Sequence, residues 1–217
     1  MASIEGRMLR RRSTAAVAAN LAKWVESGFS QVFFVDNTFN LSASYSIELC
    51  RRISETNLKI NGRCIFYPGV VPRELVEAMS KAGCREVSLG FESGSENILQ
   101  RMNKHFGIDK IREASRLLAG VGIRRMGFLL LGGPGETKAS VEESLSFADS
   151  LNLDSLKLTL GIRIYPQTNL ARQAVDEGLI AMDDPLLLPR FYFVEELRPW
   201  LRETVAQWAK GRSSCYC

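Results

Sequence analysis

The sequence predicts an α/β protein: a parallel sheet of five strands in barrel-like curvature, helices outside it, and a C-terminal extension packed across one end. Three observations carry that expectation. Apolar runs of strand length alternate with helix-period segments along most of the chain. The joints between them are short, and several hold Gly or Pro where helices stop. The chain has 217 residues, 46% hydrophobic and 24% charged, enough to bury a sizeable core without disulfide or metal staples.

The first recognisable element is a helix, TAAVAANLAKWVESG (14–28), ending on Gly28. QVFFVD (31–36) is the first apolar run, followed by SASYSIELCRRISET (42–56), whose opening serines suit a helix cap. INGRCIFYP (60–68) leads into PRELVEAMSKAG (72–83), a helix with Pro72 in its first turn and Gly83 at its end. EVSLGFES (86–93) precedes two helical pieces within 95–122, SENILQRM and GIDKIREASRLLAGVG. RMGFLLLGG (125–133), KASVEESLSFADSL (138–151), LKLTLGIRIYP (156–166) and NLARQAVDEGLI (169–180) complete the alternation. Because the strand runs are continuous rather than alternating in hydrophobicity, they read as covered on both faces. From about residue 181 the chain becomes proline-interrupted and aromatic, and ETVAQWAKGRSS reads as a terminal helix with a frayed tail. Residues 1–180 are thus expected to form the core and 181–217 the extension.

Composition narrows the function classes. No apolar run approaches the roughly 20 residues needed to span a bilayer. The N-terminus lacks the apolar stretch of a secretory signal, and the chain reads as cytoplasmic. The net charge of +4 is concentrated at Arg7, Arg10, Arg11 and Arg12, with no interleaved aromatics to stack bases, so there is no strong nucleic-acid signal. The five cysteines have no metal-site spacing. Cys50, Cys64 and Cys84 read as buried reduced thiols, Cys215 and Cys217 as part of a mobile tail, and the lone His105 as a surface residue. The turn GGPGETK (132–138) is not a phosphate loop: it lacks the GxxxxGK spacing and the GxGxxG fingerprint, and Glu136 would repel phosphate.

In barrels and open α/β sheets, chemistry gathers beyond the carboxyl ends of the strands. Here those ends read Asp36-Asn37-Thr38, Tyr67-Pro68-Gly69, Glu92-Ser93-Gly94, Gly132 to Glu136, and Tyr165-Pro166-Gln167. A carboxylate at the mouth of a buried strand is costly unless paired or hydrogen-bonded. Glu92 therefore serves either as a cap or ion-pair partner, or as an acceptor for a ligand hydroxyl or amine. Asp36 and Asn37 fit an Asx turn as well as a ligand site. The glycines at 132 and 133 let backbone approach a ligand closely.

Taken in order, DNTFN, AGCREVSLGFESGSENILQRMNK, GFLLLGGPGET and IRIYPQTNLARQAVDEG resemble radical S-adenosylmethionine enzymes, in particular the group often carrying an N-terminal cobalamin-binding domain. The resemblance covers about residues 3–180. It implies a partial (β/α)6 barrel in which a 4Fe–4S cluster reduces S-adenosylmethionine to a 5′-deoxyadenosyl radical that abstracts a substrate hydrogen. It also implies site residues. Asp36, Asn37 and Thr38 match the second-strand turn that meets the methionine amino group. Glu92 and Ser93 match fourth-strand residues at the ribose or amino group. The Gly132–Gly133 turn belongs beside the adenosine, with Glu136 capping the helix that follows, and Tyr165 and Pro166 match the wall near adenine. One departure is serious: the family's cluster motif, CxxxCxxC, is nowhere in the chain. Its loop and the first strand would precede residue 1, which makes the chain look like the back part of a larger protein. IEGR also spells a protease-site tag, but GRMLRRRS continues in family register, and the segment reads as native. Two further readings differ in kind: a degenerate barrel that binds a ligand or partner without catalysis, and an unrelated barrel enzyme using Glu92 with Asp36 as an acid–base pair. Substrate identity and the catalytic residue are not legible.

Overall fold

The computed structural model describes residues 10–212, 215 and 216. Helix α1 (Thr14–Glu26) is capped by Ser13, whose hydroxyl accepts from the Ala16 amide. Strands then alternate with helices: β1 (Gln31–Phe34), α2 (Ala43–Glu55), β2 (Asn61–Phe66), α3 (Arg73–Lys81) and β3 (Cys84–Glu92). After α4 (Glu96–Arg101) and α5 (Ile108–Gly120) come β4 (Arg124–Leu131), α6 (Lys138–Ser150) and β5 (Ser155–Leu160). These five strands are neighbours in chain order, and every pairing among them is parallel.

Right-handed crossovers between sequential parallel strands place all connecting helices on one face of the sheet. That face is the core. Cys64 and Phe66 of β2, Val87, Leu89 and Phe91 of β3, and Leu129 and Leu131 of β4 are all buried there against helix side chains. The opposite face is open, with Phe33 half exposed and Arg63 partly so. The expectation of strands covered on both faces is corrected for β2 and β4, where burial alternates as in a sheet buried on one side, whereas central β3 is buried at Val87, Ser88 and Leu89 in succession. Polar and apolar side chains share the open face, which is why the sequence showed no clean alternation. Arg63 reaches Ser88 Oγ at 3.0 Å and pairs with Glu86 at 3.2 Å, linking neighbouring strands there.

Two corrections concern the C-terminal third. The run 156–166 is not one strand. At Gly161, φ +81, the chain leaves the sheet, and β6 (Ile162–Ile164) pairs antiparallel with β7 (Arg190–Tyr192) in a separate ribbon. Helix α7 (Asn169–Asp176) lies between them in sequence. The extension meets the expected end only in part: Val194 donates to the Gly132 carbonyl at the end of β4, but the helix after it does not cross that end. Helix α8 (Arg198–Ala209) lies alongside α6: Lys138 sits over the Trp200 ring near both N-termini, and Trp208 Nε1 donates to Asp149 at 3.1 Å near both C-termini. Beyond it, β8 (Cys215–Tyr216) pairs parallel with β5, Leu156 opposite Cys215, where a frayed tail was expected. The open edge of β5 supplied the backbone partners for it. Cys217 and Arg7 lie outside the described residues. No helix among the described residues is long and apolar enough to cross a membrane.

Candidate functional site

Pairing between β3 and β4 slips between Gly90 and Glu92, so the strand ends in an irregularity. Phe91 stays in the core, edge-on to Phe147 of α6. Glu92 adopts a left-handed conformation, φ +66, which costs a residue with a Cβ about 1–2 kcal/mol. Its carboxylate folds back over Gly90, where a Cβ would lie 3.0 Å from Oε1. Lys104 Nζ stands 3.4 Å from the same oxygen and also lies over the Phe106 ring. Phe106 meets Tyr67 edge-on, with ring centroids 4.9 Å apart. The Asn40 amide closes the chain of contacts: its Nδ2 donates to the Tyr67 carbonyl at 2.8 Å and its Oδ1 accepts from the Tyr67 amide at 2.9 Å. The loops after β1, β2 and β3 are thereby joined. Sequence reasoning missed Asn40, Lys104 and Phe106, although Asn40 closes the DNTFN motif.

At the end of β1, Asp36 and Asn37 are exposed, and the Thr38 hydroxyl donates to the Asn37 carbonyl at 2.7 Å. Asp36 and Thr38 border a groove of about 430 Å³ whose walls include Arg11, Trp24, Phe33 and Tyr45. Arg11 lies over the Tyr45 ring, and the Tyr45 hydroxyl donates to the Arg12 carbonyl at 2.8 Å. Burial first, and the Asp36 charge second, push the Tyr45 hydroxyl above its ordinary value. The basic run thus gains aromatic neighbours from α1 and α2 that its own sequence lacks.

At the end of β4, Gly132 has φ +92, and a Cβ there would lie 2.9 Å from the Phe193 ring. Glu136 is buried, and its Oε2 accepts from the Gly132 amide and, at 3.0 Å, from the Gly133 amide. Oε1 has no partner. Desolvation outweighs the two amides and raises the Glu136 carboxyl to about 7. The expected capping role is corrected: Thr137 caps α6 in a reciprocal box with Ser140, leaving Glu136 to close the glycine turn. Ser93 is fully buried and faces α6, its hydroxyl 3.1 Å from that of Ser144 and accepting from the Ser95 amide. It fixes the turn after Glu92 and offers no free hydroxyl to open space. Tyr165 and Pro166 are exposed beyond β6, with Arg163 over the Tyr165 ring. It is Ile162 that lies against Gly133. Among the described residues, no group of three His, Cys, Asp or Glu side chains is arranged to hold a metal ion.

Sequential parallel strands, helices on one face and a polar rim at the carboxyl ends define an open (β/α) barrel whose rim is the place for a ligand. The chain belongs to the radical SAM superfamily, whose family model matches residues 3–148. Among curated proteins it is 26% identical to the uncharacterized methyltransferase PH0819 of Pyrococcus horikoshii, over 82% of this chain and 40% of that one. It is 32% identical to the ribosomal protein uS12 methylthiotransferase RimO of Heliobacterium modesticaldum, over 51% of this chain and 25% of that one. The chain thus spans well under half the length of these relatives. In fold it resembles the radical S-adenosylmethionine methyltransferase TsrM of Kitasatospora setae, solved with cobalamin and a 4Fe–4S cluster bound. The TM-score is 0.72 at 22% identity, over 77% of this chain and 32% of that one. The cobalamin-dependent enzyme OxsB, solved with aqua-cobalamin, gives 0.71 at 16% identity, over 92% and 37%.

Proposed function

We propose that this chain is the S-adenosylmethionine-positioning part of a radical SAM catalytic core, in a longer protein that transfers a methyl-derived group. The observation that carries the reading is Glu92, a carboxylate held in a costly backbone conformation at the mouth of a central strand, over a glycine that makes room for it. Glu92 accepts from the ribose or the amino group, and Asp36, Asn37 and Thr38 face the methionine end. The backbone of the Gly132–Gly133 turn, whose Cβ sides are filled by Phe193 and Ile162, lies beside the adenosine, with Tyr165 and Pro166 at its outer side. Ser93 and Lys104 are positioning residues for Glu92. The hard chemistry belongs to the cofactors, and the protein's share is orientation and exclusion of side reactions.

The described residues do not fit a 4Fe–4S cluster, which needs converging thiolates, so its ligands are assigned elsewhere in the whole protein. Cobalamin enters the proposal through the named partners of TsrM and OxsB, as the cofactor of a further domain.

In the whole protein, Glu92→Gln is expected to weaken S-adenosylmethionine binding by about 1–3 kcal/mol, the loss of a charge-assisted hydrogen bond. Anaerobic calorimetry measures it, and unchanged affinity would leave Glu92 only its ion pair with Lys104. A second reading is a barrel that binds a ligand without catalysis. Iron and sulfide reconstitution separates the two: the whole protein is expected to gain a cluster and release 5′-deoxyadenosine, and the 217-residue chain to do neither.

A further inference from the structure

The open face of the sheet carries its charges unevenly. Arg63 of β2 pairs with Glu86 of β3 at 3.2 Å, and Arg124 of β4 stands 3.9 Å from the same carboxylate. Glu92 is met by Lys104 at 3.4 Å. Lys157, in the middle of β5, is exposed and has no hydrogen bond or ion pair among the described residues. Strand parity puts it on this face, because Leu156 and Leu158 on either side of it are buried in the core. Lysine is depleted in strands, so its place between two core leucines asks for a reason.

The register supplies one. Gly90, Phe128 and Lys157 stand opposite one another across β3, β4 and β5, in a single row of the open face. The Glu92 carboxylate lies over Gly90 and so enters the same row. Two strand spacings, about 10 Å, separate Gly90 from Lys157, with Phe128 between them. The row below, Ser88, Met126 and Ser155, is closed: both serines are buried, and Arg63 Nη2 reaches Ser88 Oγ and Met126 Sδ, each at 3.0 Å. In the row above, Thr159 stands opposite Leu130. The Thr159 hydroxyl has no partner among the described residues, and neither has the buried Ser155 Oγ. The lysine is thus flanked on its own face by two unpartnered hydroxyls, beside Phe128 and Leu130, which are both partly exposed. Ligand sites are lined in this way, mostly apolar with a few polar groups that fix orientation.

We propose that Lys157 and Thr159 bind the anionic oxygens, carboxylate or phosphate, of a small organic substrate whose apolar part lies on Phe128 and Leu130. The proposal rests on the reading that Glu92 positions S-adenosylmethionine, since cofactor and substrate then occupy opposite ends of one row. The ammonium is a point charge with three donors and takes one anionic oxygen. The Thr159 hydroxyl, about 7 Å along the same face, donates to another. A cationic substrate would find the Glu92 carboxylate already met by Lys104 and would face Lys157 as a like charge.

The probes are benzoate and phenyl phosphate on the whole protein, with benzamide as the neutral match of the same ring. Trace acetylation followed by peptide mass spectrometry reads the labelling rate of each lysine, with the exposed Lys59 and Lys210 as internal references. At least one anion is expected to slow Lys157 several-fold, with the references and the benzamide control unchanged. Slowing by benzoate alone identifies a carboxylate, by phenyl phosphate alone a phosphate, and by both an anionic oxygen of either kind. Lys157→Met is expected to weaken calorimetric affinity for the effective anion by about tenfold or more, and Lys157→Arg to retain most of it. S-adenosylmethionine affinity is expected to be unchanged in both variants. Lys157 labelled at its free rate in both anions, equal slowing by benzamide, or undiminished anion affinity in Lys157→Met would overturn the proposal. If Lys157→Met fails to fold, the wild-type labelling decides alone. Glu92→Gln is expected to leave the slowing of Lys157 intact, so unchanged cofactor affinity in that variant with Lys157 still protected overturns only the cofactor reading.

Discussion

Glu136 sits inside the glycine turn with one carboxylate oxygen bonded to two amides and the other bonded to nothing. Its carboxyl is raised from 4.5 to about 7 by burial, so the folded state binds the proton more tightly than the unfolded one. The associated stability is fully present below the unfolded value and is lost as pH rises through the folded one. Over the window from 4.5 to about 7 the loss is on the order of 3 kcal/mol. Glu136→Gln keeps the shape and removes the titration. It is expected to flatten the stability curve across that window and to leave the variant more stable than wild type above pH about 7. Urea unfolding of both proteins at several pH values measures the difference, and parallel curves would place the carboxyl back in its ordinary range. This residue also shows where reading a sequence stops. An acid near a helix start obeys a local rule, and the rule pointed to capping. Thr137 and Ser140 satisfied that need between themselves, which freed Glu136 to reach back to the strand end.

Helix limits and the five parallel strands were legible because their causes are local: the period of apolar residues, Gly83 and Gly28 at helix ends, Pro72 in a first turn. The β6–β7 ribbon and β8 were not, because each depends on a partner far along the chain. Gly132 is where such a distant contact meets a local requirement. Its amide and φ belong to the turn, while its carbonyl accepts from Val194 at 2.9 Å and its open side takes the Phe193 ring. Gly132→Ala imposes a left-handed conformation costing about 1–2 kcal/mol and a ring clash of similar size. Adding Phe193→Leu is expected to recover the clash but not the backbone cost. The double-mutant cycle should therefore show a coupling of about 0.5–3 kcal/mol in urea midpoints converted to free energy. Strict additivity would mean that the ribbon does not rest on this turn in solution.

At the scale of the molecule, the sheet has one edge occupied by β8 and the other formed by β1, with no strand on its outer side among the described residues. Strand order was foreseeable from the alternation of elements, and rim residues from the ordered motifs. The groove beside β1 was not, since its walls come from Trp24 on α1 and Tyr45 on α2, which meet only after folding. Backbone donors and acceptors along Gln31–Phe34 lie next to Phe33, 50% exposed, and Val35, 74% exposed. An apolar open edge is a template for another strand, and a charge placed on it is the usual deterrent. The 217-residue chain is accordingly expected to self-associate as its concentration rises, and Val35→Lys to shift that association to markedly higher concentration without altering the far-ultraviolet circular dichroism. Light scattering across a concentration series reads both. A wild-type chain that stays a monodisperse monomer at the highest concentration would mean that the groove walls shield the β1 edge by themselves, and Val35→Lys would then change nothing.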